Sequence, residues 1–332
     1  MFPIAAPSTP KIGMQLQPHP SRIWSMRPGT QQQFGATVTI DKLGMRSTEV
    51  HPTSQRWLTL GDSSIFGHGL SDDGTLHQQL EEALRGSGFD IDVLCGATPG
   101  YSSLQTLDYL NEIGWNLKPD VIVLGNLWSD NNFDHFQDDV WMRTLQSPSN
   151  RIIRGLKHSA LLMHASKILR PDLWTVDNDL SANPHTKVSW IREPYAKGTR
   201  RVPLPLYIKT MSTILQESSK RNIEVIIMQP ANRHRLDIVD VEVTWDPYFK
   251  AQTAIAEYYN VPTIDVAPIL RAFGLSKSQA FLDQMHPTAE ANYWIAQGIL
   301  DLWKDRFVQN QTWLPTNAIA PSLEIPDQWT SE

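Results

Sequence analysis

A single cysteine, Cys95, stands in a chain of 332 residues, so no intramolecular disulfide framework can hold the fold together. Its setting, Ile91-Asp-Val-Leu-Cys95, reads as a buried strand in which the thiol is a small hydrophobe. No apolar stretch approaches the roughly 18 to 20 residues of a membrane helix. The opening Met1-Phe-Pro-Ile-Ala-Ala-Pro has neither the basic n-region nor the long apolar core of a signal peptide. The expectation is an unexported chain, cytoplasmic by default, without a transmembrane segment. Basic runs and zinc-finger spacings are missing too, and the net charge of −6 opposes attraction to phosphate backbones or anionic membranes. No nucleic-acid partner is expected.

Two kinds of ligand site are also lacking. Gly61 to Gly69 has no Lys-Ser/Thr ending of the kind a phosphate loop needs. Asp130, Asp134, His135 and Asp138 cluster, but no helix-spaced His pair or carboxylate triad goes with them. They read as a solvated loop, and no metal or cofactor is expected.

What the chain does have is the composition of a globular enzyme, 41% hydrophobic and 19% charged. Residues 1–55, rich in Pro, Gln, Ser and Thr, read as an irregular N-terminal extension with a short β-hairpin around Phe34–Ile40, packed on the main domain. From 56 to 307, short apolar runs with β-branched residues alternate with helical patterns. Strands are expected at 57–61, 90–95, 120–126, 223–229 and 261–265, and helices at 74–86, 103–115, 204–221, 247–260 and 288–305. That alternation predicts a three-layer α/β/α domain, a five-stranded parallel sheet covered on both faces. The interval 131–203 is longer than a minimal fold requires. A helix is expected near Ile152–Leu169, followed by a polar stretch with Trp174 and Trp190, and the insertion is read as pocket wall or lid because it follows the third strand. Residues 308–332, Pro-rich and polar, read as a tail or surface strap.

The chemistry lies in two separated elements. Gly61-Asp62-Ser63-Ser64 follows directly on the apolar Trp57-Leu-Thr-Leu60, which sets a serine hydroxyl on the turn after a strand. Far downstream, Asp283-Gln-Met-His286-Pro287 offers a carboxylate and an imidazole three residues apart. Together they supply a nucleophile, a base to take its proton and an acid to hold the base in one tautomer. A lone serine before a helix is more often only a cap, and most of ten histidines do nothing chemical. The shared context of Ser63, Asp283 and His286 raises them above that background. Asp62 reads as a cap supporting the serine. His68 reads as structural rather than pocket-lining, and Trp128 as a pocket-lining residue.

These residues resemble the SGNH, or GDSL-type, hydrolase family across most of 57–305. The Gly-Asp-Ser block matches Gly61-Asp62-Ser63, and Gly67 and Gly69 follow it. The second block, a glycine whose backbone N–H enters the oxyanion hole, matches Pro99-Gly100-Tyr101-Ser102. The last, Asp-x-x-His-Pro, matches Asp283 to Pro287. The resemblance implies Ser63, Asp283 and His286 as catalytic triad and the N–H groups of Ser63 and Gly100 in the oxyanion hole. It implies an esterase, lipase or deacetylase acting on a small-molecule, carbohydrate or lipid ester.

The third block departs from the family. Where Gly-x-Asn-Asp is usual, this chain has Gly125-Asn126-Leu-Trp-Ser129-Asp130-Asn131-Asn132. Asn126, Ser129, Asp130 and Asn131 are all candidates for the side-chain donor. An ionised Asp130 cannot donate, and Asn131 is favoured. Two alternatives keep the same triad: O-acyl transfer to an acceptor hydroxyl, and a binding protein whose oxyanion hole has decayed.

Overall fold

The computed structural model describes residues 16–33, 35–46, 53, 55–134, 136–147, 199–237, 245–309 and 311–316. The strands are β1 (Leu16–His19), β2 (Ile23–Met26), β3 (Gly29–Gln33), β4 (Ala36–Ile40), β5 (Gln55–Gly61), β6 (Ile91–Cys95), β7 (Val121–Gly125), β8 (Phe133–Asp134), β9 (Thr199–Arg200), β10 (Glu224–Gln229) and β11 (Thr263–Asp265). The α-helices are α1 (Ser63–Phe66), α2 (Leu76–Gly86), α3 (Ser103–Glu112), α4 (Trp128–Asn131), α5 (Asp138–Gln146), α6 (Leu204–Lys220), α7 (Arg233–Leu236), α8 (Asp246–Tyr259), α9 (Val266–Ala272), α10 (Lys277–Ala280) and α11 (Ala289–Gln309).

Five strands form one parallel sheet in the order β11-β10-β7-β5-β6. The expected α/β class and five-stranded sheet are therefore present. The sequence builds it by alternation within continuous apolar runs. Trp57, Val93, Cys95, Val121, Val123, Ile226 and Met228 face one layer, with α2, α9 and α11. Leu58, Leu60, Leu94, Ile122, Leu124, Val225 and Ile227 face the other, with α3, α6 and α8. Side chains alternate across a strand, so a strand covered on both sides is apolar on both faces at most of its positions. The chain leaves β5 for β6 on one side, then crosses back to β7 on the other. The carboxyl ends of β5 and β7 thus flank the topological switch, the usual place for a site in an open α/β sheet.

Two glycines make room there. Gly61 and Gly125 are paired in register. A Cβ on Gly61 would come within 2.5 Å of the Ile65 side chain, and one on Gly125 within 2.6 Å of the same residue. Only bare backbone lets α1 sit this close across the strand ends.

The N-terminal extension holds two hairpins, β1–β2 and β3–β4, where the sequence pattern had indicated one. Val38 and Ile40 join the apolar core, and Arg46 N–H donates to the Cys95 carbonyl at 3.1 Å, which covers the β6 edge. At the other end, Trp313 is buried against Trp303 with ring centroids 5.2 Å apart, and its carbonyl accepts from Val225 N–H at 3.1 Å. Residues 311–316 are thus a strap packed on the core. The expected helix near 152–169, with Trp174 and Trp190, lies outside the described residues.

Candidate active site

The serine turn is built from Asp62 outward. Asp62 is the N-cap of α1; one carboxylate oxygen accepts from Ser64 N–H at 3.0 Å and the other from Ser129 N–H at 3.2 Å. One buried side chain therefore ties the turn after β5 to the turn after β7. Burial pushes its pKa up, against the pull of those two N–H groups. Ser63 follows as the first residue of α1. Among the described residues its N–H has no hydrogen-bond acceptor, as is usual in a first helical turn. Gly67, at φ 80°, ends the helix in the left-handed conformation. The loop beyond it is held by buried Arg46, which donates to the carbonyls of Phe66, Gly67 and Leu70 and pairs with Asp72.

The Asp283–Pro287 segment returns to this turn from between α10 and α11. His286 Nε2 lies 2.8 Å from Ser63 Oγ, and His286 Nδ1 lies 2.6 Å from Asp283 Oδ2. The other Asp283 oxygen accepts from the N–H groups of Met285 and His286, each at 2.9 Å. Burial alone would raise the Asp283 pKa, but the His286 hydrogen bond and those two N–H groups hold it well below the usual carboxylate range. His286 is more enclosed than its partner, with 12% of His286 and 52% of Asp283 open to solvent.

His68 belongs to this group, although the sequence marked it as structural. Its ring lies against that of His286, centroids 4.4 Å apart and planes inclined by 35°. Burial, and after it the neighbouring His286, lowers its pKa to about 4, so it stays neutral at ordinary pH. Its place in Phe66-Gly-His-Gly69, one glycine on either side, is the one signal that could have pointed to it.

The loop after β6 is zipped alongside β5. Gly96 N–H donates to Thr59 and Thr98 N–H to Gly61, at 2.9 and 3.1 Å. Gly100 takes φ 78°, and its N–H has no acceptor among the described residues. A Cβ there would come within 3.0 Å of the Trp24 ring, so the position needs glycine for conformation and for space.

The four candidates after β7 separate by where they point. Asn126 is buried; its side-chain amide donates to the Tyr101 carbonyl at 3.4 Å, and its backbone carbonyl receives Tyr207 and Gln252. Asp130 accepts from Ser103 N–H at 2.8 Å and Ser103 Oγ at 2.6 Å. Asn131, the favoured donor on charge grounds, turns its side-chain oxygen to Arg200 at 2.6 Å. Ser129 is bound through its backbone N–H to Asp62, the residue before Ser63, and its hydroxyl has no partner among the described residues. Trp128 does not line the site. It is buried edge-on against Trp245, centroids 5.7 Å apart.

The acidic cluster is also not the solvated loop expected. Asp138 is fully buried and pairs with buried Arg201 through both oxygens, at 3.0 and 2.7 Å. Arg201 lies 63 positions further on, too distant for a local pattern to reveal. His135 lies outside the described residues. Among the described residues no group of three or more His, Cys, Asp or Glu could hold a metal ion, and no helix is long and apolar enough to cross a membrane.

Burial dominates Asp130, raising its pKa to about 7 despite the Ser103 hydrogen bonds. In the unfolded chain a carboxyl titrates near pH 4. Between about pH 4 and 7 the folded form therefore binds more protons than the unfolded one, and stability falls as pH rises through that window. Melting temperature measured across it should decline more steeply for the wild type than for Asp130→Asn. Parallel curves would contradict this assignment.

No family model matches the chain, and no curated protein matches it. Solved structures similar to it include an acetylxylan esterase from Geobacillus stearothermophilus, 14% identical over 75% of this chain and 94% of that one, TM-score 0.48. Others are a lipase/acylhydrolase from Enterococcus faecalis (14% identity, 76% and 96% covered, TM-score 0.47) and a protein of the G-D-S-L family from Desulfitobacterium hafniense (11%, 75% and 99%, TM-score 0.46). Identities this low transfer no residue role.

Proposed function

We propose that this chain hydrolyses carboxylic esters through an acyl-enzyme on Ser63. The observation that carries the reading is the continuous hydrogen-bonded line Ser63 Oγ–His286–Asp283, with contacts of 2.8 and 2.6 Å. Ser63 Oγ attacks the ester carbonyl carbon as its proton passes to His286 Nε2, giving a tetrahedral oxyanion. Collapse breaks the bond to the alcohol oxygen, which leaves with the proton from His286. Water then repeats the sequence on the acyl-enzyme, releasing the acid and restoring Ser63. Asp283 keeps Nδ1 protonated and stabilises the imidazolium, and its low pKa keeps it ionised for that work. His68, packed at a tilt against the imidazole, restricts its rotation.

The oxyanion is held by the N–H groups of Ser63 and Gly100 and by one side chain. For that side chain Ser129 replaces Asn131 in this reading. In a helix two residues are separated by about 200° of rotation. With Ser129 on the Asp62 side, Asn131 lies on the far side, toward Arg200. Ser129→Ala should lower kcat on a 4-nitrophenyl ester about a hundredfold with KM nearly unchanged, the signature of a contact made in the transition state. Asn131→Ala should do much less. The reverse ranking would restore Asn131 as the donor.

The general test is steady-state hydrolysis of 4-nitrophenyl acetate and longer 4-nitrophenyl esters, with product acid measured. Free acid as the main product supports hydrolysis. Acyl transfer to an added alcohol in preference to water would instead favour the transferase reading. Absence of turnover on every ester would overturn both.

A further inference from the structure

We propose that Trp24, on the N-terminal hairpin β1–β2, is a positioning residue for the oxyanion-binding N–H of Gly100, so that the hairpin is a working part of the site. The inference rests on the reading of Ser63 as nucleophile. Trp24 Nε1 donates to the Pro99 carbonyl at 3.0 Å. The peptide joining Pro99 to Gly100 is planar and trans, with its C=O and N–H pointing in opposite directions. One hydrogen bond to the oxygen therefore fixes where the Gly100 N–H points. The carbonyl on the other side of Gly100 is held as well: Arg201 Nη1 donates to it at 2.8 Å, and the Arg201 guanidinium lies 5.4 Å from the Trp24 ring centre. Two additions to the minimal fold thus grip the two peptides either side of one glycine. One is the N-terminal hairpin, and the other is the end of the long insertion, where Arg201 is locked to Asp138.

Trp24 is itself held in place. Its backbone N–H donates to the Arg22 carbonyl at 2.8 Å, and its backbone carbonyl receives Tyr101 Oη at 2.8 Å. Directly before it, Ile23 takes φ 69°, a conformation rare for a β-branched residue. Such an outlier persists only where its surroundings over-determine it, and here it aims the indole at the oxyanion loop.

Trp24→Phe keeps the ring and removes the donor, so it separates the two roles. Removing an oxyanion donor outright costs about 10² to 10³ in kcat, and loosening one should cost part of that. The expected result is a kcat about tenfold lower with KM and melting temperature unchanged. The Ki of a trifluoromethyl ketone, which mimics the tetrahedral oxyanion, should rise by the same factor. Tyr101→Phe, which frees the Trp24 carbonyl, should move kcat and Ki in the same direction by a smaller factor. It serves as the deciding variant if Trp24→Phe does not fold. Unchanged kcat and Ki in the folded variant would overturn the proposal. Ser63→Ala, assayed in parallel, keeps the two readings apart. Activity surviving in it would overturn the nucleophile assignment, whereas a silent Ser63→Ala beside a fully active Trp24→Phe would overturn the positioning role alone.

Discussion

Ser63→Ala is expected to lower kcat by about 10⁶-fold while leaving the melting temperature close to that of the wild type. Loss of a catalytic serine in hydrolases of this chemistry has an effect of that order, because base and acid have nothing left to activate. The structural cost should be small. Ser63 is the first residue of a four-residue helix, and the cap is supplied by Asp62, not by Ser63. The hydrogen bond lost is a partly buried contact to His286, worth about 1 kcal/mol net. Steady-state kinetics on 4-nitrophenyl acetate, with a melting curve on the same preparation, would check both halves. A fall in kcat below about tenfold would remove Ser63 from the mechanism, since tenfold is only 1.4 kcal/mol.

The second large effect is expected at Asp283. Asp283→Asn should preserve the fold and lower kcat by about 10⁴-fold through the wrong imidazole tautomer. The Asn oxygen can still receive the N–H groups of Met285 and His286, so the loop keeps its shape. The Asn NH₂, however, now faces His286 Nδ1, 2.6 Å from where a carboxylate oxygen stood. An NH₂ donates, so Nδ1 must accept, and the ring proton moves to Nε2. That nitrogen can no longer take the proton of Ser63. Turnover within about twofold of wild type would show that the carboxylate is dispensable, because twofold is well under 1 kcal/mol.

The central sheet was legible because its strands are buried on both faces. Runs such as Val121-Ile-Val-Leu and Glu224-Val-Ile-Ile-Met cannot alternate with polar residues, and their boundaries fall within about two residues of those read from the sequence. Ser63, Asp283 and His286 are legible because each sits in a short local pattern, Gly-Asp-Ser or Asp-x-x-His-Pro. Interactions that depend on rotation or on distant partners were not legible. Which side chain of α4 faces the turn after β5 depends on where α4 begins, and one residue of shift changes the answer. Asp138 reads as a loop acid until Arg201 is found beside it, 63 positions later. Trp24 lies in a Pro- and Gln-rich extension with no chemical motif, and its aim at Pro99 arises from a turn containing Ile23 at positive φ. Trp128 was read from its place after β7 as pocket-lining, but packing against Trp245 takes it into the core.

The measurement that bears most directly on the central claim is covalent trapping. An alkyl fluorophosphonate phosphonylates an activated serine by displacement of fluoride, and the tetrahedral adduct occupies the oxyanion hole. Intact-mass spectrometry should find one adduct per chain, peptide mapping should put it on Ser63, and both Ser63→Ala and prior acid denaturation should abolish it. No adduct on the folded wild-type chain, or an adduct that persists unchanged in Ser63→Ala, would contradict the account.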